Sequence, residues 1–119
     1  MKYMCLVHFE IDNLTSRPEA ERREIDRRSL AYDADLAARG HLIHAEAIEG
    51  PENAVLVRVR DGAMSATDGP YIETKEQMAG FVLIEARDMN EAIRLAAGIP
   101  LAEIGTIEVR PVFMIPAPQ

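Results

Sequence analysis

The residues best placed to do chemistry begin at Asp68. It opens the run Asp68-Gly69-Pro70-Tyr71, a turn signal in which Asp bonds its own backbone, Gly supplies positive φ and Pro stops a ladder. The polar stretch that follows feeds straight into the apolar strand formers Phe81-Val82-Leu83-Ile84. A carboxylate on a tight turn beside a rigid strand can serve as general base or ligand-orienting group, and burial against Tyr71 and Phe81 would raise its pKa into a useful range. The plainer reading is that Asp68 only closes the turn. Ser29 and Tyr32 lie on the apolar stripe of a long helix. There Ser29 either bonds back to the carbonyl four residues earlier or is aimed into a cleft between helix and sheet. His44 and Glu46 share one face of a strand, about 7 Å apart. His8 and Tyr71 complete the candidates, His8 and His44 approaching Asp68 if their strands neighbour its turn. Each of these is also compatible with a packed or solvated role.

Other chemistries find no support. The three histidines lack helix-type ligand spacing and one cysteine offers no thiolate pair, so no metal site is expected. No Gly-rich turn opens a helix, no nucleophile elbow is present, and no cofactor is implied. A net charge of −7 and a pI near 4.9 disfavour nucleic acid and anionic membrane as partners. The one basic cluster, Arg22, Arg23, Arg27 and Arg28, alternates with acids and reads as a salt-bridged helix surface. Cys5 sits among Met4, Leu6 and Val7 as a small buried hydrophobe. With no signal-peptide pattern and no long apolar run, the simplest expectation is a soluble cytoplasmic protein.

The elements that must position these groups follow from the 119 residues in order, expected to form a single domain over 1–119 with a mobile tail at 115–119. Lys2 to Phe9 is apolar on both faces and predicts a central strand. Asp12 to Leu14 reads as a loop, and Ser16-Arg17-Pro18-Glu19 as a capping box opening a helix that stops at Gly40. Its stripe is Ile25, Ser29, Tyr32 and Leu36. His41 to Ile48 alternates as a strand, with Leu42, His44, Glu46 and Ile48 on one face. Ala54–Arg60 and Ala63–Thr67 flank the hairpin signal Asp61-Gly62. After the strand Phe81–Ala86, Asp88 and Glu91 cap a second helix packed through Met89, Ala92, Ile93, Ala96 and Ala97. Thr106 to Met114 is the last strand. This order makes an α+β split β-α-β sheet with both helices on one face. The other face is too apolar for water, and a second copy, sheet against sheet, is its simplest cover.

Several of these stretches resemble the YCII-related family. They are Lys2-Tyr3-Met4, Ala45-Glu46-Ala47-Ile48, Val57 to Gly62, and above all Thr67-Asp68-Gly69-Pro70-Tyr71-Ile72-Glu73-Thr74-Lys75-Glu76-Gln77-Met78-Ala79-Gly80-Phe81, with Ile99-Pro100 and Ile107 to Val112. The likeness is to the branch named for an Asp-Gly-Pro-Phe motif, whose Phe is Tyr71 here. It implies a ferredoxin-like protomer pairing as a dimeric α/β barrel. It also implies a His–Asp pair in a cleft, whose Asp falls on Asp68 and whose His falls on Ser29, so the pair is incomplete. Three functions are then compatible with the chain. One is a cofactor-independent proton-transfer enzyme on a small organic molecule, with Asp68 as base and Ser29, Tyr32 or His44 orienting the substrate. The second is a small-ligand-binding or regulatory homodimer without chemistry, and the third a dimerisation module without a pocket.

Overall fold

A computed structural model describes residues 1–118. Strand β1 (Lys2–Phe9) sends Tyr3, Cys5, Val7 and Phe9 into the core and leaves Met4, Leu6 and His8 half-buried on the opposite face. A short helix α1 (Ile11–Thr15) follows where a loop was expected, and Ser16 caps its C-terminal end. The expected capping box is therefore absent. Helix α2 (Glu19–Ala38) starts instead from Pro18, whose carbonyl accepts from the Glu21 and Arg22 amides. At its far end the Gly40 amide donates to Ala37 and the His41 amide to Leu36, with Gly40 at φ 80°. This is the paired closure that a left-handed residue makes possible after a helix.

Strand β2 (Leu42–Ala47) leads to a 3-10 turn at Pro51–Asn53 and to the hairpin of β3 (Val55–Arg60) and β4 (Ala63–Asp68). Asp61 and Gly62 both take positive φ, as a two-residue hairpin turn demands. Strand β5 (Gln77–Glu85) starts four residues earlier than the apolar run alone suggests. Helix α3 (Met89–Ala97) is capped as expected, Asp88 Oδ1 accepting from the Glu91 amide at 2.9 Å while Glu91 accepts from the Arg87 amide at 2.8 Å. It buries Ala92, Leu95 and Ala96 and leaves Ile93 exposed, so the packed face is rotated from the expected one. Strand β6 (Gly105–Pro111) ends at Pro111 rather than Met114. Residues 115–118 of the expected mobile tail lie exposed without regular structure, and position 119 lies outside the described residues.

The main sheet has the order β2-β5-β1-β6, antiparallel throughout. β5 lies between β1 and β2, and β1 between β5 and β6, so two β-α-β units interleave as in a ferredoxin-like α+β fold. Helices α2 and α3 cover the face that carries Tyr3, Cys5, Val7 and Phe9, and the core unites these with Leu36, Val82, Ile84, Ala92, Leu95 and Ile99. Burial pushes the Cys5 thiol up to about 11, so it packs as a hydrophobe and supplies no thiolate at neutral pH.

Two features depart from simple alternation. A register shift between Leu42 and His44 turns Leu42 to the helix side, opposite Ile84, while His44 and Glu46 oppose Leu83 and Phe81 on the other face. The β3–β4 hairpin forms a sheet of its own instead of extending the main one. Val55, Val57, Val59 and Met64 on it are between 60% and 69% exposed. The radius of gyration is 16.6 Å, against roughly 13–14 Å for a compact chain of this length, as a projecting arm requires.

Helix α2 buries one side chain fully, Leu36. Replacing Leu36 with Ala removes its contact with the sheet, and urea unfolding is expected to show a loss of about 2–5 kcal/mol.

Candidate functional site

The sparse seating of α2 leaves a cavity of about 420 Å³ between its middle and the sheet. The floor is Val7 of β1, Ala45–Ala47 of β2 and Ala79–Val82 of β5; Ile99, Pro100 and Leu101 close one side. From α2 come Asp26, Ser29, Leu30, Tyr32 and Asp33. Positions 26, 29 and 33 recur at helical spacing and form one polar stripe over an otherwise apolar chamber.

Each end of that stripe is held differently. The Tyr32 hydroxyl donates to the Leu95 carbonyl at 2.6 Å, tying α2 to the end of α3. Gly98 leaves room for its ring, since a Cβ there would lie 2.7 Å from the ring's Cε1. Further along, the Arg28 guanidinium grips Glu103 through two bonds of 2.6 and 3.1 Å and holds that carboxyl below its usual range. The pair is solvent-exposed, so it orients the helix more than it stabilises the protein. Ser29 makes no hydrogen bond among the described residues, and the expected bond back along the helix is absent. The sharper alternative, a serine facing the cleft, is the observed placement.

Asp33 is the residue that sequence reasoning missed. It is half-buried, makes no hydrogen bond or ion pair among the described residues, and burial raises its carboxyl above the ordinary range. The available signal was its spacing of four from Ser29, which puts it on the same helix face. The apolar residues Ile25, Tyr32 and Leu36 mark the inner face of the helix without including it.

The other candidates lie elsewhere. Asp68 ends β4 opposite Val55, exposed and outside the cavity of the single chain, so the burial expected around it is absent. The turn after it is closed by the backbone, the Gly69 amide donating to Ala54 at 2.8 Å, without its carboxylate. The Gly69–Pro70 peptide is cis. Tyr71 is exposed beyond that bend. His8 pairs with Glu108 at 3.1 Å on the open sheet face. His44 lies 3.7 Å from Glu46 on the same face, its ring 5.9 Å from that of Phe81. The structure thus brings Ser29 and Tyr32 together at the cavity and His44 together with Glu46, and joins neither group to Asp68. Among the described residues, no group of three or more His, Cys, Asp and Glu converges as a metal site would. No helix among them is long and apolar enough to cross a membrane.

The strand order and the one-sided helices define a ferredoxin-like α+β protein with a cleft beneath its first long helix. The model of the YCII-related domain matches residues 1–116, and the chain belongs to that family. An uncharacterized protein from Rhizobium meliloti (strain 1021) is 39% identical over 110 residues, covering 91% of this chain and 87% of its own. Among solved structures, 5-chloro-2-hydroxyhydroquinone dehydrochlorinase (TftG) from Burkholderia phenoliruptrix AC1100, in complex with 2,5-dihydroxybenzoquinone, superposes with a TM-score of 0.58 at 15% identity, over 95% of this chain and 94% of that one. At that identity the likeness is one of fold.

The carboxyl of Asp33 binds its proton more tightly folded than unfolded. Its contribution to stability is therefore present at low pH and is lost as the pH rises through its folded pKa. Asp33→Asn is accordingly expected to raise the melting temperature at pH 7 by a few degrees at most. The difference should vanish below the unfolded carboxyl's pKa of about 3.9. Melting curves from pH 3 to pH 8 check this.

Proposed function

We propose that this protein binds a small organic molecule in the cleft beneath α2 and moves a proton on it without a cofactor, Asp33 acting as base and Ser29 orienting the substrate. The observation that carries the reading is the half-buried carboxylate of Asp33, free of partners among the described residues, on the wall of an apolar cavity. Desolvation strengthens a carboxylate as a base, and a base with its pKa moved toward the working pH transfers protons most efficiently. That an enzyme of the same fold was solved in complex with 2,5-dihydroxybenzoquinone supports a small organic molecule as the ligand.

A thermal-shift screen against small metabolites finds binders, since a ligand of the native state raises the melting temperature. Each hit is then incubated in deuterated water and its exchangeable C–H followed by NMR. Exchange is expected with the native chain, slowed by about 10²-fold or more in Asp33→Asn. Hits that protect the cleft and exchange nothing would make this a binding protein without chemistry.

Pairing of two chains belongs to the same reading. Met4, Leu6, Phe81 and Leu83 share the sheet face that no helix covers, and the valines of the hairpin stand in water. A second copy would hide both, forming the dimeric α/β barrel. Asp68 shares the hairpin face of Val55 and would enter an active cleft only through that pairing. Size-exclusion chromatography with light scattering is expected to give twice the protomer mass for the native chain and for Asp68→Asn, and a folded protomer for Leu6→Lys. A native chain that elutes as a protomer would remove the dimer, and with it any catalytic part for Asp68.

A further inference from the structure

The charge of the cleft restricts what can enter it. Its ionisable lining groups on α2 are the carboxylates Asp26 and Asp33, seven residues apart with Ser29 between them, and Tyr32, whose hydroxyl is bound to the Leu95 carbonyl and is kept protonated by burial. Among the described residues, no Lys, Arg or His lines the chamber. Glu46 contributes to the floor, but its carboxylate pairs with His44 on the other sheet face, as the register dictates. Arg22, one turn before Asp26 on the same helix, is half-buried and is not a lining residue. The rest of the wall is apolar, and its larger side chains include Val7, Leu30, Phe81, Val82, Ile99 and Leu101. A cavity of about 420 Å³ lies toward the small end of ligand pockets, which run from about 300 to 1,000 Å³.

We infer that the cleft selects small amine-bearing molecules: an apolar or aromatic body held by the sheet, and an ammonium group met by Asp26. This rests on the reading of the cleft as a ligand site and names the class of ligand. Asp26 is exposed and Asp33 half-buried, so the rim carboxylate takes the cation while the deeper one is left to the reacting carbon. An anion of the same size meets two like charges with no cation on the lining to offset them. In the partly desolvated space beneath a helix such a mismatch is weakly screened and discriminates strongly. A net charge of −7 on the whole chain acts in the same direction at longer range.

Benzylamine, benzyl alcohol and benzoate share one ring and differ in charge, and their binding at pH 8 is measured by NMR chemical-shift perturbation of the intact protein. Shifts are expected at Val7, Ala45 and Val82. Benzylamine should bind about two- to fivefold tighter than benzyl alcohol, as one ion pair at an exposed carboxylate gives, with benzoate weakest. In Asp26→Asn, whose fold is checked by its melting curve, the ratio of amine to alcohol affinity should fall toward one. Benzoate binding as well as benzylamine would overturn the selectivity while leaving the cleft a ligand site. An unchanged ratio in Asp26→Asn would remove Asp26 as the selector. Shifts from none of the three would overturn both this inference and the ligand-site reading beneath it.

Discussion

Everything about the cleft depends on how helix α2 is fastened to the sheet. An amphipathic helix of 20 residues would ordinarily press a continuous apolar stripe onto the strands beneath it. This one cannot, because its sequence is dominated by charge and only Leu36 is fully withdrawn from water. Its C-terminal end is locked by that leucine, by the Tyr32 hydroxyl on the Leu95 carbonyl and by the Gly40 closure. Its middle is held by the Arg28–Glu103 grip on the 3-10 turn at Pro100–Glu103. From Asp26 to Asp33, around those fastenings, the helix stands off the sheet, and the cavity is the space beneath it.

The same arrangement explains why a carboxylate faces inward. On a fully seated helix, position 33 would meet packed side chains, and an unpaired charge there would be costly. Over a water-accessible chamber the cost is partial, and what remains appears as the raised proton affinity of Asp33. A group kept at that intermediate cost is the kind a proton-transfer site uses, since full burial would leave it protonated and full exposure would leave it weak. The chamber's floor comes from the central strands β1 and β5 and from the edge strand β2, which is hydrogen-bonded along β5, so the floor is a paired sheet where the roof is lightly held.

Much of this architecture was legible in the sequence. The two-faced apolar pattern of residues 2–9 placed β1 at the centre of the sheet, where it lies between β5 and β6. Asp61-Gly62, Gly40 and the Asp88–Glu91 pair act locally, and each does what its chemistry dictates. Serine at position 29 could be read as facing a cleft for the same reason: helical spacing fixes its direction. Features governed by tertiary balance were harder. Ser16 loses its capping role because α1 forms from Ile11 to Thr15 and consumes it. The bulge before His44 reverses Leu42, since a single extra residue inverts every face that precedes it. The Asp-Gly-Pro turn looked like a site because turns carry function, yet it stands on an exposed arm in the single chain. Asp33 escaped notice because apolar residues are the usual markers of a helix's inner face, and here the inner face looks into a cavity.

The most direct measurement is the titration of the Asp33 side-chain carboxyl carbon, followed by NMR in the native protein and assigned through Asp33→Asn. The bridging-helix account predicts a midpoint above those of the exposed aspartates, moving back toward them when Leu36→Ala loosens the anchored end and lets water in. A midpoint matching the exposed aspartates, indifferent to the anchor, would mean that no half-dry chamber exists beneath α2.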